Sequence, residues 1–316
     1  MRYIRTLFLI AFIGAAAVAA QSLFQFLDLD ASLNDRRGAG QLTLFAIVIP
    51  SLVWFSWAVA GVNPFAFGAR YVADWRRVLR GFLLMYGATT LILATSFIVL
   101  TAMGKVQWSQ EAWQNLTTDV AIKTLSGLLV VLVLATVEEL IFRGFFLRYL
   151  RHNDTLRVTV AAIIASSLIF SLSHLIALSG SWHDPAKIPL LFGLFIIGVL
   201  AGTTYVVTGS IACSIGIHCG LLGFKVFFRK TDLATLSPDG AWWLGGTSDL
   251  RIGPLSWIVL LSMTVAIILC RRWLWDRLWV ETAVGLEREE VPVGREPATV
   301  SSARMGFRSE GSDFRA

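Results

Sequence analysis

Charge is what this chain has least of. Asp, Glu, Lys and Arg make up 15% of its 316 residues and apolar residues 56%, where a soluble domain carries about 25% charge and about 45–50% apolar residues. With a mean hydropathy of +0.68, that scarcity excludes an ordinary soluble enzyme. Cysteine is scarce too. Cys213, Cys219 and Cys270 are odd in number and have no CxxC spacing, which argues against a disulfide framework or a thiolate metal cage; they are expected to pack in apolar segments. There is no glycine-rich phosphate loop, no internal repeat and no separate soluble domain. The formal charge of +6 therefore does not point to nucleic acid, because in a membrane protein Lys and Arg collect in cytoplasmic connections.

What is present is a series of stretches of roughly 20 nearly uncharged residues, the length a bilayer requires. Eight spans are expected, at 6–24, 41–61, 81–103, 124–147, 158–179, 188–208, 210–228 and 254–271. The fold class is thus all-α, a polytopic membrane protein of about eight transmembrane helices around a polar intramembrane cavity. Arg2 and Arg5 before the small-residue run ending at Ala20 could mark a cleaved signal, but the apolar run continues through Phe24 and Leu27, so an uncleaved helix is the preferred reading. The connections at 62–80 and 148–157 and the end of the last span are rich in Arg, which places both termini in the cytoplasm by the positive-inside rule; Lys225, Arg229 and Lys230 fall on the wrong side of that scheme. Trp242, Trp243, Trp273, Trp275 and Trp279 read as an interfacial belt. The segment 104–123, with Trp108, Trp113 and Asn115, is expected to form a short interfacial helix. Residues 281–316 bury too little to fold and are expected to form a disordered cytoplasmic tail. The chain divides into N-terminal helices and an interfacial segment (1–123), a core (124–228), a last loop and helix (229–280) and the tail.

An ionisable group inside a span costs several kcal/mol unless it is paired or meets water, so each is a functional hypothesis by default. The fourth span reads Thr136-Val137-Glu138-Glu139-Leu140-Ile141-Phe142-Arg143-Gly144. On a helix Glu139 and Arg143 share a face with the acid on the N-terminal side, the favourable order. Their pairing serves a structural role as readily as a chemical one, and it leaves Glu138 as the carboxylate free for chemistry. His174 lies among Ser166, Ser167, Ser171 and Ser173 in the fifth span, and His218 lies between Gly216 and Gly220 in the seventh. Each histidine could simply tie two helices together. A hairpin turning near 153–156 would bring Glu138 and His174 to nearly one level, and counting from its basic turn sets them far from the cytoplasm unless the hairpin protrudes. His152 and His183 fall in connections and are expected to be solvated, and Lys225 to snorkel. A carboxylate and two histidines converging in a wet cavity suit amide hydrolysis, one group taking a proton from water and another donating to the oxyanion. Glu and two His are also zinc ligands, but no HExxH occurs.

Glu138-Glu139-x-x-x-Arg143, then Phe170-x-x-x-His174, then His218, resembles the CPBP family. These intramembrane glutamic endopeptidases include the CAAX prenyl proteases and the bacterial Abi or bacteriocin-processing proteins. EELIFRG at 138–144, and the stretch from Phe192 to Gly202 followed by Tyr205 and Thr208-Gly209-Ser210, are similar to that family as well; the likeness covers about 125–228. It implies that Glu138 activates the attacking water with His174 helping to position it, that His218 stabilises the oxyanion, and that Glu139 and Arg143 organise the site. No cofactor is implied, and zinc is not favoured. The implied substrate is a membrane-bound or lipid-anchored peptide, with no nucleic-acid partner, in a bacterial inner membrane. One position departs from the pattern. The family's last motif is HxxxN, and the fourth residue after His218 is Leu222, with no Asn anywhere beyond Asn153. That departure keeps a second reading open, a non-catalytic immunity or scaffold protein of the same fold. A proton-coupled transporter using Glu138 and His174 as a relay ranks third.

Overall fold

The computed structural model describes residues 75–153, 155–177, 187–236 and 251–278, with a few isolated positions nearer the start of the chain. The expected spans 6–24 and 41–61, apart from those positions, and the possible signal cleavage, most of the 62–80 connection, His183, Trp242, Trp243, Trp279 and the tail 281–316 lie outside the described residues.

The described chain is helical: α1 (Trp75–Ala102), α2 (Gln110–Gln114), α3 (Thr118–Glu139), α4 (Leu156–Ser173), α5 (Lys187–Thr208), α6 (Ile211–Thr231), α7 (Pro254–Leu269) and α8 (Arg271–Leu278). Five helical stretches among the described residues are long and apolar enough to cross a bilayer, and α7, with 16 residues, is shorter. This is a polytopic membrane protein. Leu91, Ile98, Leu125, Val133 and Val265 are exposed along the helices, as faces turned to lipid should be.

Two elements differ from expectation. Segment 104–123 is not one interfacial helix. Gly104 turns the chain with φ +67°, and Val106–Trp108 then forms a strand, β1, antiparallel to β2 (Ala234–Leu236). Val and Trp favour a pleated, half-buried surface, and Val106 and Ala234 bury against Phe97 and Leu100. Gln110–Gln114 is a short helix, capped by Ser109 Oγ, which accepts from the Ala112 amide at 3.0 Å, and from Thr118 the segment already belongs to α3. The second difference lies inside the fourth span. The α-helix ends at Glu139 and the chain continues as a π-helix, Leu140–Leu147, before a last α-turn, Arg148–Leu150. In the wider i→i+5 geometry the Phe142 carbonyl accepts from Ser166 Oγ of α4 at 2.9 Å, a bond that pins the π segment to α4.

Close packing around α6 sets the site. A methyl group at Gly81 would meet Cys213, one at Gly216 the Phe82 carbonyl at 2.5 Å, and one at Gly220 Thr89 Cβ at 2.8 Å. The contacts advance together along both chains, so α1 and α6 run parallel with their backbones nearly touching, the close approach small residues permit. In the other direction Gly127 faces Val226 and Gly144 faces Ile211, so α3 and its π extension run antiparallel to α6. Gly209, at φ +63°, reverses the chain between α5 and α6. One end of the bundle thereby collects the start of α1, the end of the π extension and the starts of α4 and α6. Arg76, Arg77, Arg148, Arg151 and Arg157 gather there. Of the cysteines, Cys213 and Cys219 are buried as expected, whereas Cys270 is exposed.

Candidate active site

Glu139 is the centre of the site. Its side chain is fully buried, and its Oε1 accepts from Arg143 Nη1 at 2.9 Å and from His218 Nδ1 at 2.8 Å. The first of these is the pair expected from the sequence. The second crosses from α3 to α6. Arg143 is equally buried; its Nη2 donates to the Gly198 carbonyl of α5 at 3.1 Å. A methyl at Gly198 would lie 2.8 Å from Ser167 Cβ and 2.9 Å from its Cα, so glycine lets α4 and α5 close at this level. A buried ion pair repays its desolvation only with good geometry and further hydrogen bonds, and here one pair ties three helices.

Glu138 differs from its neighbour. Its side chain is 26% exposed, and Oε2 lies 3.6 Å from His218 Nε2, too far for a hydrogen bond. That oxygen makes no hydrogen bond among the described residues. His218 thus sits between two adjacent carboxylates, bonded to Glu139 and facing Glu138.

His174 follows the last residue of α4. Its Nδ1 lies 2.8 Å from the Phe170 carbonyl; a carbonyl only accepts, so Nδ1 carries the proton and Nε2 of the neutral ring is left as an acceptor. Glu138, His218 and Arg251 are all near enough to act electrostatically on this ring. Ser171 Oγ donates to the Leu191 carbonyl at 2.6 Å and so fixes the end of α4 against α5.

The five residues singled out in the sequence come together at the junction of α3, α4 and α6. Glu138 and His174 meet through His218 and Phe170 rather than directly. His152 is exposed in its connection, its Nδ1 3.2 Å from the Leu150 carbonyl. Leu222 packs with Val131, Ala135 and Cys219. Sequence reasoning missed the Gly198 carbonyl and the π segment. It listed the serines around His174 without seeing that Ser166 and Ser171 are helix clamps. Among the described residues no three His, Cys, Asp or Glu side chains are grouped to hold a metal ion.

Residues 121–222 match the family model described as type II CAAX prenyl endopeptidase Rce1-like. Over that core, about a third of the chain, the protein is similar to the CAAX proteases. The match runs from the first turns of α3 to Leu222 and so contains all five site residues. No curated protein and no solved structure matches the chain.

Proposed function

We propose that this membrane protein is an intramembrane endopeptidase that hydrolyses a peptide bond of a membrane-associated or lipid-anchored substrate by water activated on Glu138. The observation that carries the reading is the division of labour between the adjacent carboxylates: Glu139, fully buried, holds both Arg143 and His218 through Oε1, whereas Glu138 holds neither by a hydrogen bond and its side chain is 26% exposed. In this mechanism Glu138 takes a proton from water as the oxygen attacks the scissile carbonyl. His174 Nε2, an acceptor, holds the second water proton. His218, when both its nitrogens are protonated, donates from Nδ1 to Glu139 and from Nε2 to the oxyanion. The proton on Glu138 then passes to the leaving amine as the C–N bond breaks. No metal or cofactor enters this scheme.

The Arg-rich end of the bundle supports a cytoplasmic assignment for that end, in an inner membrane with both termini cytoplasmic. His218 is seven residues beyond Ile211, the start of α6, so it lies about 10 Å inside that end. The helical stretch Thr118–Leu150 has 33 residues, about 50 Å at helical rise, and must tilt or protrude from a core of about 30 Å. The proposed site therefore lies nearer the Arg-rich end of the bundle than the opposite end.

The test compares wild type with Glu138→Gln in the native host by mass spectrometry of membrane-protein termini. A terminus made only by wild type supports proteolysis and names the substrate. Identical termini, with normal physiology in Glu138→Gln, favour the second reading, a non-catalytic binding protein. The observation behind that reading is Leu222, an apolar side chain packed with Val131, Ala135 and Cys219 where the family pattern has Asn.

A further inference from the structure

Phe170 contacts more of the candidate site than any pattern in the sequence assigns to it. Its side chain is fully buried. Its ring centroid lies 4.8 Å from that of His174 at 68° and 5.9 Å from that of His218 at 82°. The Arg143 guanidinium carbon sits 4.9 Å from the same ring, and Phe142 of the π segment meets it at 5.1 Å and 84°. Its carbonyl holds the His174 Nδ1 proton. One residue therefore touches both imidazoles and the cation that pairs with Glu139, and fixes one tautomer as well.

We infer that Phe170 is a positioning residue for hydrolysis, a rigid wedge that sets the separation and angle of the His174 and His218 rings around Glu138. The inference rests on the hydrolytic reading of the same site. An aromatic ring suits this task for two reasons. Near-perpendicular contacts are the favoured geometry between flat π-systems, so each imidazole has a preferred orientation against it. Its face also accepts a cation, which lets it cover Arg143 and keep water from the Arg143–Glu139 pair. A leucine would fill part of the volume but has no flat face, and both imidazoles could then turn about their side-chain torsions.

Phe142 supplies the control. It is buried, and its ring contacts are with Phe146 and Phe170, one ring removed from the histidines. Wild type, Phe170→Leu and Phe142→Leu are to be compared as full-length protein in nanodiscs, with a quenched farnesylated CAAX-type peptide as the probe. In parallel, ¹⁵N spectra of histidine-labelled protein read the imidazole tautomers. The expected result is a loss of about 100-fold in kcat for Phe170→Leu, the scale of a 1 Å misplacement, with KM nearly unchanged and a much smaller loss in Phe142→Leu. The His174 and His218 ¹⁵N signals should move toward the tautomer average in Phe170→Leu while those of His152 stay in place. Equal losses in the two variants, or unmoved imidazole signals, overturn the inference. If wild type leaves the peptide intact, the hydrolytic reading fails for that probe, and the spectra alone decide whether Phe170 orients the rings. Should Phe170→Leu not fold, Phe170→Met, unbranched and able to fill the gap, is read by the same two measurements.

Discussion

Glu139 and His218 stand 79 positions apart in the chain and are joined by a 2.8 Å hydrogen bond. That bond converts two adjacent glutamates into different groups. One carboxylate is held through Oε1 by a guanidinium and an imidazole with no exposure, while the other, a residue away, is hydrogen-bonded to neither and is partly exposed.

The two should therefore respond differently to the same substitution. Glu139→Gln leaves the Arg143 charge buried without its partner, and breaking one side of a buried pair costs about 3–5 kcal/mol. Glu138→Gln removes no hydrogen bond and should leave stability nearly unchanged while abolishing cleavage. Unfolding midpoints in detergent, set beside cleavage rates, check this. Similar midpoints for the two variants would mean that Glu139 is not the structural member.

Arg143 is bound to planar geometry as much as to charge. It donates to Glu139 from one nitrogen and to the Gly198 carbonyl from another, and a lysine cannot reproduce a two-point fork. Arg143→Lys should keep the charge and still lower the unfolding midpoint, by an amount equivalent to about 1–3 kcal/mol for one buried acceptor left unpaired. A wild-type midpoint in Arg143→Lys would show that the Gly198 bond contributes nothing.

Gly198 tests the same junction from the backbone. An alanine there meets both Cα and Cβ of Ser167 below 3.0 Å, so α4 and α5 must separate, an overpacking cost of about 1–3 kcal/mol. The carbonyl that holds Arg143 would move with α5. Adding Ser167→Gly removes the Cβ contact but not the Cα one, and should restore part of the loss. Full stability in Gly198→Ala alone would contradict the contact.

These relationships mark how far the sequence could be read. Glu138, Glu139, Arg143, His174 and His218 were legible because an ionisable group in an apolar span is conspicuous, and the i,i+4 spacing of Glu139 and Arg143 predicted their pairing. The Glu139–His218 bond was not legible, since spacing along one helix says nothing of a partner on another. Gly198 acts through a carbonyl, which every residue possesses, so it left no mark. The π segment hides for a related reason: Leu140–Leu147 is apolar nearly throughout, and hydropathy does not distinguish i→i+4 from i→i+5 bonding. β1 and β2 are three residues each, too short for alternation to register.

Metal chelation separates two forms of the hydrolytic proposal. If Glu138 alone activates water, cleavage by protein treated with 1,10-phenanthroline and dialysed should match the untreated rate. Loss of cleavage that returns on adding Zn²⁺ would assign the work to a metal and replace the glutamic scheme.

Leu222 is the sharpest test of whether this site cuts peptides well. It lies one helical turn beyond His218 on α6 and packs with Val131, Ala135 and Cys219. An amide at this position could donate to an oxyanion held by His218, a contribution of about 10²–10³ in rate where such donors have been removed. Leu222→Asn also places an amide in an apolar cluster, at about 1–3 kcal/mol on the scale of protein mutations, so the variant should be less stable. The expected outcome is a faster enzyme with a lower unfolding midpoint, measured as kcat on the farnesylated peptide beside thermal unfolding. A gain that disappears in the Leu222→Asn, Glu138→Gln double variant would tie the new donor to the same water. A slower or unchanged rate in a folded Leu222→Asn protein would mean that the oxyanion does not form on that side of His218, and that another group in this chain, Cys219 or a backbone amide of α6, fills the role.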